Sequence, residues 1–445
     1  MPRFDDLEHA AATDVGIRRS HNQDAHSIQS APDQDYFHKV GHVFIVADGM
    51  GGHAVGEMAS AQAVQEIPLT YAKHAAVDGP LAALRRAFQE ANGGIHAIGQ
   101  SNPEFRGLGT TATALVLRKE GAWIGHVGDS RAYRVRDAKI EQLTFDHSYA
   151  WEMARRLGIP PEELSDVKKN VIIRSLGPDV LVQVDVEGPY PLLAGDTFVL
   201  CSDGLSNLVN PEEVGTIVSA LQPSEAGQFL VELANLRGGP DNITVIVVRV
   251  GGDEASTIAM SVKPASRMKI VLLRIGQAWN RLVPWPLSVL MAGFLFAVGA
   301  VVCHLTETWG SSLLVVLAAL SILGGLVGLF VLAKKQRAEA NNEPEPPRRQ
   351  NIYREYSCKI ERMLVDKLLL MGIHLKEKLE GRPFSVDWPS YKNNNDAAQR
   401  YLQEGDLLAS FREQCRALLG LAATFNKNRP REEGFRPKFE TTADA

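Results

Sequence analysis

The sequence predicts an α+β fold of antiparallel strands and helices, followed by two apolar helices and a small helical domain. Three observations lead to this fold class. Apolar strands separated by short turns follow one another in 109–135, as in an antiparallel meander. Apolar residues recur at helical spacing in 55–98 and 211–236. Two stretches without charge, 285–305 and 311–333, are each long enough to span a bilayer core of ~30 Å.

Composition and charge exclude several classes of protein. The 445 residues allow two or three domains, and the net charge of −5 gives no reason to expect nucleic acid as a partner. The four cysteines lie far apart, which argues against a zinc site and a disulfide framework and fits a reducing compartment. Residues 1–12 are acidic without an apolar core, so no signal peptide is expected.

Near the N-terminus a buried strand is expected to end in a glycine turn. Residues 43–47 are apolar, and Asp48 to Gly52 follow them directly. Such a turn can hold a cation, because glycine lets backbone carbonyls approach closely, and an ordinary hairpin turn is the alternative. Upstream, Arg19 precedes Asp24, which fits either a surface ion pair or a phosphate-binding arginine beside a metal ligand.

The elements after this turn complete the first domain, 1–252. Helices are expected over 55–73 and 81–98, and residues 147–170 are expected to form a polar flap. The strands are expected at 109–117, 123–128, 132–135, 197–201 and 243–250.

Four aspartates share one setting at the ends of apolar strands. They are Asp48, Asp129, Asp203 and Asp241. Strand ends of one sheet system can converge on one edge, where crowded carboxylates repel one another unless a cation neutralises them. Oxygen ligands select hard ions such as Mg²⁺ or Mn²⁺. Two such ions about 3.5–4 Å apart can activate a water and clamp a phosphoryl group.

Six short motifs follow one another along residues 10–250. They are Arg19-x-x-x-x-Asp24, Asp48-Gly-Met-Gly-Gly-His53, Gly109-Thr-Thr-Ala112, Gly128-Asp-Ser-Arg131, Cys201-Ser-Asp-Gly204 and Gly239-Pro-Asp-Asn242. Six motifs in one order are far more specific than any single motif. In these motifs the chain resembles the PPM-type, protein phosphatase 2C-like family of metal-dependent serine/threonine protein phosphatases.

The resemblance implies an α-β-β-α sandwich of two antiparallel sheets flanked by helices, with two Mn²⁺ or Mg²⁺ ions at one edge. It implies that Asp48 bridges both ions and that the Gly49 carbonyl binds one of them. Asp203 and Asp241 would complete the shell of the first ion. A hydroxide that bridges the ions would attack phosphorus in line.

The resemblance also assigns three further residues, and two positions depart from it. Asp129 matches the ligand of a third, weaker ion, and Asp24 would support the cluster directly or through water. Arg19 has the spacing of the phosphate-binding arginine, so the catalytic residues would be Asp48, Arg19 and Asp129. Gln23 stands where many relatives have glutamate, and Met50 stands where eukaryotic members have a histidine proposed as general acid.

The middle of the chain is expected to anchor it in a membrane. Residues 253–284 predict a linker ending in a basic amphipathic helix, and 285–305 and 311–333 predict a transmembrane helical hairpin. Basic residues flank the pair, so the positive-inside rule places both ends on the same side. The sequence therefore predicts a multi-pass protein of the cytoplasmic (inner) membrane with its N- and C-terminal domains in the cytoplasm.

The remaining segments carry no catalytic pattern. Residues 334–351 predict a charged linker with prolines, and 352–445 predict a small helical domain with a loose tail. We expect this domain to bind a partner or the phosphatase domain itself.

The predicted function is hydrolysis of phosphoserine and phosphothreonine in proteins, opposing a bacterial serine/threonine kinase. The alternative is a weak or silent membrane adaptor that binds phosphoproteins or assembles a signalling complex, which Gln23 and Met50 would support. A third hypothesis shares the chemistry but places an anti-anti-sigma-type regulator as the substrate.

Overall fold

The computed structural model of the chain describes residues 7–51, 54–164, 171–251, 285–305, 312, 314–324 and 355–429. The chain divides into two compact units. The first comprises Met1–Thr257 and Tyr353–Ala445, and the second comprises Ile258–Ile352. The predicted amphipathic helix before residue 285, the linker 334–351 and the end of the C-terminal tail lie outside the described residues, as do Gly52 and His53 of the glycine turn.

The first unit is built on two antiparallel sheets. Its strands are β1 (Leu7–Asp14), β2 (Asp24–Gln29), β3 (His42–Met50), β4 (Gly109–Thr110), β5 (Ala112–Arg118), β6 (Gly121–Val127), β7 (Arg131–Arg136), β8 (Lys139–Gln142), β9 (Asp185–Tyr190), β10 (Thr197–Cys201), β11 (Ile243–Val250) and β12 (Glu355–Ser357). One sheet has the order β1-β11-β10-β7-β8-β12. The other has the order β2-β3-β5-β6-β9, with β4 paired to β3.

The helices of this unit flank the sheets. They are α1 (Gln34–Lys39), α2 (Ala54–Ser101), α3 (Tyr149–Leu157), α4 (Asp203–Ser206), α5 (Pro211–Ala220) and α6 (Pro223–Leu236). Helix α2 contains one non-helical residue, Gly79, with φ of 77°. Because glycine tolerates positive φ and Pro80 follows it, the two helices expected at 55–73 and 81–98 join across a kink.

The described cores arrange these elements in four layers. Phe44 and Leu115 of one sheet pack against Phe198 and Ile246 of the other, and all four are fully buried. Helix α2 covers the outer face of the β3-containing sheet, while α5 and α6 cover the outer face of the β11-containing sheet. The predicted sandwich of two antiparallel sheets is therefore confirmed.

The C-terminal segment packs on this sandwich. Its helices Arg362–Leu379, Trp388–Glu404 and Leu407–Asn428 follow β12, which adds a strand beside β8. Phe411 and Leu418 are buried in the same apolar cluster as Phe229 of α6. The C-terminal helices were expected to bind either a separate partner or the first domain, and the structure shows contact with the first domain.

The second unit contains the two stretches that were expected to span a membrane. Helix Trp285–Leu305 has the predicted bounds, and the next helical stretch is described over 314–324. Gly293 lies close to Ser321 and Ile322, so the two stretches pack side by side.

The membrane prediction is wrong. None of the helices in the described part of the chain has the length and apolar character that crossing a membrane requires. This finding overturns the transmembrane hairpin and the multi-pass location in the cytoplasmic membrane.

Candidate metal centre

The register of the β11-containing sheet brings three of the singled-out aspartates to one edge. Strand β10 ends at Cys201, which pairs with Arg131 at the start of β7 and with Val245 near the start of β11. Asp203 follows the end of β10, and Asp129 and Asp241 precede the starts of β7 and β11, so all three residues lie at the same edge of the sheet. Antiparallel pairing places these three carboxyl groups together although they are far apart in sequence.

The second sheet contributes two more carboxyl groups to this edge. Asp24 of β2 lies directly opposite Asp48 of β3 in the antiparallel register. Asp24 Oδ2 accepts a hydrogen bond of 2.7 Å from the Ser202 hydroxyl, next to Asp203. The two sheets thus meet at a cluster of five aspartates that the sequence singled out.

Hydroxyl groups hold the backbone of this cluster. Thr111 Oγ1 accepts from the Asp48 amide at 2.9 Å and lies 2.7 Å from the hydroxyl of Ser130, the residue after Asp129. Thr110 Oγ1 donates to the Asp48 carbonyl at 2.9 Å. The two adjacent threonines therefore tie the end of β3 to the turn before β7.

Gln23 and Asn242 support the glycine turn from the other side. The Gln23 amide donates to Asn242 Oδ1 at 2.8 Å, and Gln23 Nε2 donates to the Gly51 carbonyl at 3.3 Å. The Gln23 carbonyl accepts from the Gly49 amide at 3.1 Å. Gln23, which stands where many relatives have glutamate, is thus bonded to the turn that follows Asp48.

The carboxyl groups are electrostatically strained when no cation is present. Burial and repulsion from neighbouring aspartates raise the pKa of Asp24 to about 7 and the pKa of Asp203 to about 6. Burial, Asp203 and Asp146 raise the pKa of Asp129 to about 8. The pKa of Asp48 is raised well above its ordinary value, chiefly by burial and then by Asp24. Such a cluster favours a counter-charge.

Two carboxyl oxygens at this edge are suited to bind a metal ion. Asp129 Oδ1 and Asp203 Oδ1 are buried without a hydrogen-bond partner among the described residues. An orphaned buried oxygen is costly unless something else satisfies it. Among the described residues no group of three His, Cys, Asp or Glu side chains forms a ready-made cage. Mg²⁺ does not need one, because it keeps several waters and takes one or two carboxylates.

Arg19 lies at the rim of the cluster. Its Nη2 donates to Asp241 Oδ2 at 2.7 Å, and both side chains are partly exposed. The structure therefore pairs this arginine with Asp241 rather than with Asp24, the acid nearest to it in the sequence motif. A partly exposed guanidinium at the rim can still exchange its carboxylate for a phosphate, which it binds with the same fork geometry.

Comparison with known proteins agrees with this geometry. The family model described as "Protein phosphatase 2C" matches residues 22–233. The serine/threonine phosphatase stp of Listeria welshimeri is 36% identical over 244 residues, which are 53% of this chain and 93% of that protein. The chain belongs to the protein phosphatase 2C family. The predicted protein serine/threonine phosphatase is thereby confirmed at the level of the family.

Solved structures of protein phosphatase 2C relatives give the same result. The S. agalactiae serine/threonine phosphatase is 33% identical, with a TM-score of 0.50 over 55% of this chain and 99% of that chain. The catalytic domain of the phosphatase PstP, solved in complex with two manganese ions, is 33% identical with a TM-score of 0.46. It covers 55% of this chain and 99% of that chain.

Sequence reasoning missed a second charged group in this protein phosphatase 2C domain. Arg131 donates to both oxygens of Asp146, with the shortest bond at 2.8 Å, and its guanidinium stacks over the Trp151 ring at 5.5 Å. Burial would lower the pKa of Arg131, but Asp146 and Tyr133 raise it well above its usual range. Arg131 stood in a quoted motif, but nothing local pointed to a partner fifteen positions later.

The raised pKa values predict how stability depends on pH when the metal is removed. Between the ordinary carboxyl pKa of 3.8 and the folded value of about 8 for Asp129, the folded state binds more protons than the unfolded state. Stability must therefore fall as the pH rises through this window. We expect the melting temperature of the full chain in chelator to drop by about 5 °C between pH 6 and pH 8 in calorimetry.

The Asp48→Asn variant is the control for this pH effect. It removes one member of the repelling cluster, so its melting temperature in chelator should fall less steeply with pH. Added Mn²⁺ should stabilise the wild-type chain more at pH 8 than at pH 6, because ligand carboxylates must be deprotonated. Equal pH slopes for the variant and the wild type would show that these carboxyl groups do not interact.

Proposed function

We propose that this chain hydrolyses phosphoserine and phosphothreonine in proteins with Mn²⁺ or Mg²⁺ held at the aspartate cluster. The observation that carries the proposal is the convergence of five strand-end aspartates with two buried carboxyl oxygens that have no partner among the described residues. Relatives covered over nearly their whole length are named serine/threonine phosphatases.

The residues of the cluster take distinct roles in this proposal. Asp48 would serve both ions, the Gly49 carbonyl would serve one of them, and Asp203 and Asp241 would supply further ligands to the first. The central position of Asp48 supports its role, since it faces Asp24 across the strand pair and its charge is repelled by the other carboxyl groups of the cluster.

The outer residues of the site serve the ions and the phosphate. Asp24 supports the cluster while it accepts the hydrogen bond of Ser202. Asp129, which lies close enough to Asp146 to feel its charge, would hold a third, weaker ion. Arg19 exchanges Asp241 for the phosphate of the substrate and orients it.

The bound ions supply Lewis acidity to the reaction. The chain's own contribution is to bring the carboxyl groups together at one edge and to hold the backbone that carries them. Thr110 and Thr111 hold the end of β3, and Gln23 holds the glycine turn. Because these bonds come from two sheets, the ligand positions are fixed before substrate arrives.

The silent adaptor is the weaker candidate. Its support was Gln23 and Met50, but Gln23 bonds the glycine turn in a way that favours an ordered centre. Three predictions concern the biological role. The phosphatase would oppose a serine/threonine kinase, its substrate could be an anti-anti-sigma-type regulator, and the C-terminal helices would bind a further partner.

Metal dependence tests the proposed function directly. We expect the purified full chain, stripped of metal, to release no phosphate from a phosphothreonine peptide, and to regain turnover when Mn²⁺ or Mg²⁺ is added. A chelator should abolish the turnover again. Binding of Mn²⁺ without any phosphate release from phosphothreonine or phosphoserine peptides would favour the adaptor instead.

A further inference from the structure

A groove lies beside the aspartate cluster, and the C-terminal segment forms part of its wall. Its volume is about 310 Å³, and its lining includes Asp129 and Asp203 of the cluster, Trp151 of α3, and Asn210. Tyr356 of β12 completes this part of the lining. Since two cluster carboxyl groups line it, the groove opens next to the place where phosphate would be hydrolysed.

The sheet register explains how Tyr356 reaches the groove. Tyr356 lies directly opposite Ile140 of β8, so its side chain is on the same face as Ile140 and as Gln142, two residues further on. Gln142 Nε2 donates to Asp146 Oδ1 at 3.0 Å, and Asp146 is the ion-pair partner of Arg131. A short series of contacts therefore connects β12 with the turn that carries Asp129.

Several contacts hold β12 in this position. The Cys358 amide donates to the Ala138 carbonyl at 2.8 Å, and the Cys358 side chain is buried against α5 at Gly215. Further along the segment, Arg416 pairs with Glu225 of α6 at 2.9 Å. These contacts hold Tyr356 in the groove wall. Tyr356 lies outside the part of the chain that matches the family model, which ends at residue 233.

The chemistry of the groove fits a polypeptide. Away from the carboxyl groups the lining combines two aromatic rings and several amide side chains with serines, prolines, an alanine and one guanidinium. The rings are Trp151 and Tyr356, the amides include Asn207 and Asn210, and the guanidinium is that of Arg131. Aromatic rings cover the apolar parts of peptide side chains, and amides bond the peptide backbone. A lone phosphate group would not fill such a space, whereas the residues flanking a phosphorylated side chain would.

We propose that Tyr356 determines specificity for phosphorylated polypeptides by contacting residues that flank the phosphoserine or phosphothreonine. This inference rests on the proposed phosphatase function and deepens it. The C-terminal segment then contributes directly to substrate recognition. A small aryl phosphate has no flanking residues and does not use this contact.

Replacement of Tyr356 in the Mn²⁺-loaded full chain tests this inference. We expect Tyr356→Ala to raise KM for a phosphothreonine decapeptide by about tenfold, the size of loss found when an aromatic side chain that anchors a binding partner is truncated. The kcat for the peptide, and both constants for p-nitrophenyl phosphate, should stay unchanged. Tyr356→Phe keeps the ring and should restore the peptide KM.

Glu355→Gln is the matched control in the same strand. Glu355 points to the opposite face of β12, where it pairs with Lys139, so this change disturbs strand docking without touching the groove. It should leave both substrates unaffected.

An unchanged peptide KM in Tyr356→Ala, or an equal loss with both substrates, would overturn the role of Tyr356. Failure of the wild-type chain to hydrolyse either substrate would instead refute the proposed function. In that case titration calorimetry of phosphopeptide binding tests the role of Tyr356 separately. Binding about tenfold weaker in Tyr356→Ala than in the wild type supports the peptide contact, and equal binding overturns it.

Discussion

Asp48→Asn is expected to reduce turnover on a phosphothreonine peptide by about 10³-fold or more, the range seen when a central charge-stabilising group is removed. Asp48 lies opposite Asp24 across β2 and β3, at the centre of the repelling carboxyl groups. The neutral amide has almost the same shape, but it is a much weaker ligand for a hard divalent ion. Steady-state kinetics and Mn²⁺ titration calorimetry on the full chain should show loss of both turnover and tight metal binding.

Asp129→Asn is the comparison for this variant. Asp129 lies at the side of the cluster, so its replacement should lower turnover by about 10–100-fold while tight binding of two ions persists. The melting temperature in chelator separates site loss from misfolding, because Asp48→Asn relieves repulsion and should melt no lower than the wild type at pH 8. Full activity in Asp48→Asn would show that the metal centre is assigned wrongly.

The second large effect is expected on stability. Arg131→Met removes one partner of a buried ion pair, in which the Asp146 side chain is only 4% exposed. An uncompensated buried charge costs about 3–5 kcal/mol. The Trp151 ring also loses the guanidinium that stacks on it. Urea unfolding of the full chain should therefore show a lower midpoint for the transition of the phosphatase domain.

Arg86→Met provides the matched control on the surface. Arg86 pairs with Glu90 at 2.7 Å on α2, but both side chains are largely exposed, so its loss should cost less than about 1 kcal/mol. A double variant, Arg131→Met with Asp146→Asn, should lose less than the sum of the two single losses, because neither charge is then left alone. Equal costs for Arg131→Met and Arg86→Met would mean that the buried pair does not stabilise the domain.

Much of the sandwich was predictable because its strands have strong local patterns. The continuous apolar run of β11 predicts a buried strand, and the helical spacing of apolar residues after β10 predicts a helix. Both patterns can be recognised within a few residues. Strand β12 could not be found in this way, since three residues, Glu355–Ser357, have no recognisable period. It becomes a strand only because the edge of β8 offers unpaired backbone groups.

The membrane prediction rested on the apolar character of two uncharged runs alone. No helix in the described part of the chain has the length and apolar character that crossing a membrane requires. Hydropathy reads the side chains and does not read the backbone conformation.

The aspartates of the site, and the turns that carry them, could be recognised from the chain alone because each lies in a short motif of consecutive residues. Tertiary structure decided which groups meet there: Arg19 with Asp241, Arg131 with Asp146, and Tyr356 with the groove. These pairs are separated by fifteen to more than two hundred positions, so they depend on strand register and on the packing of whole layers. The local sequence predicts where strands end. The contacts between residues far apart in the chain form only when the two sheets and the C-terminal segment pack together.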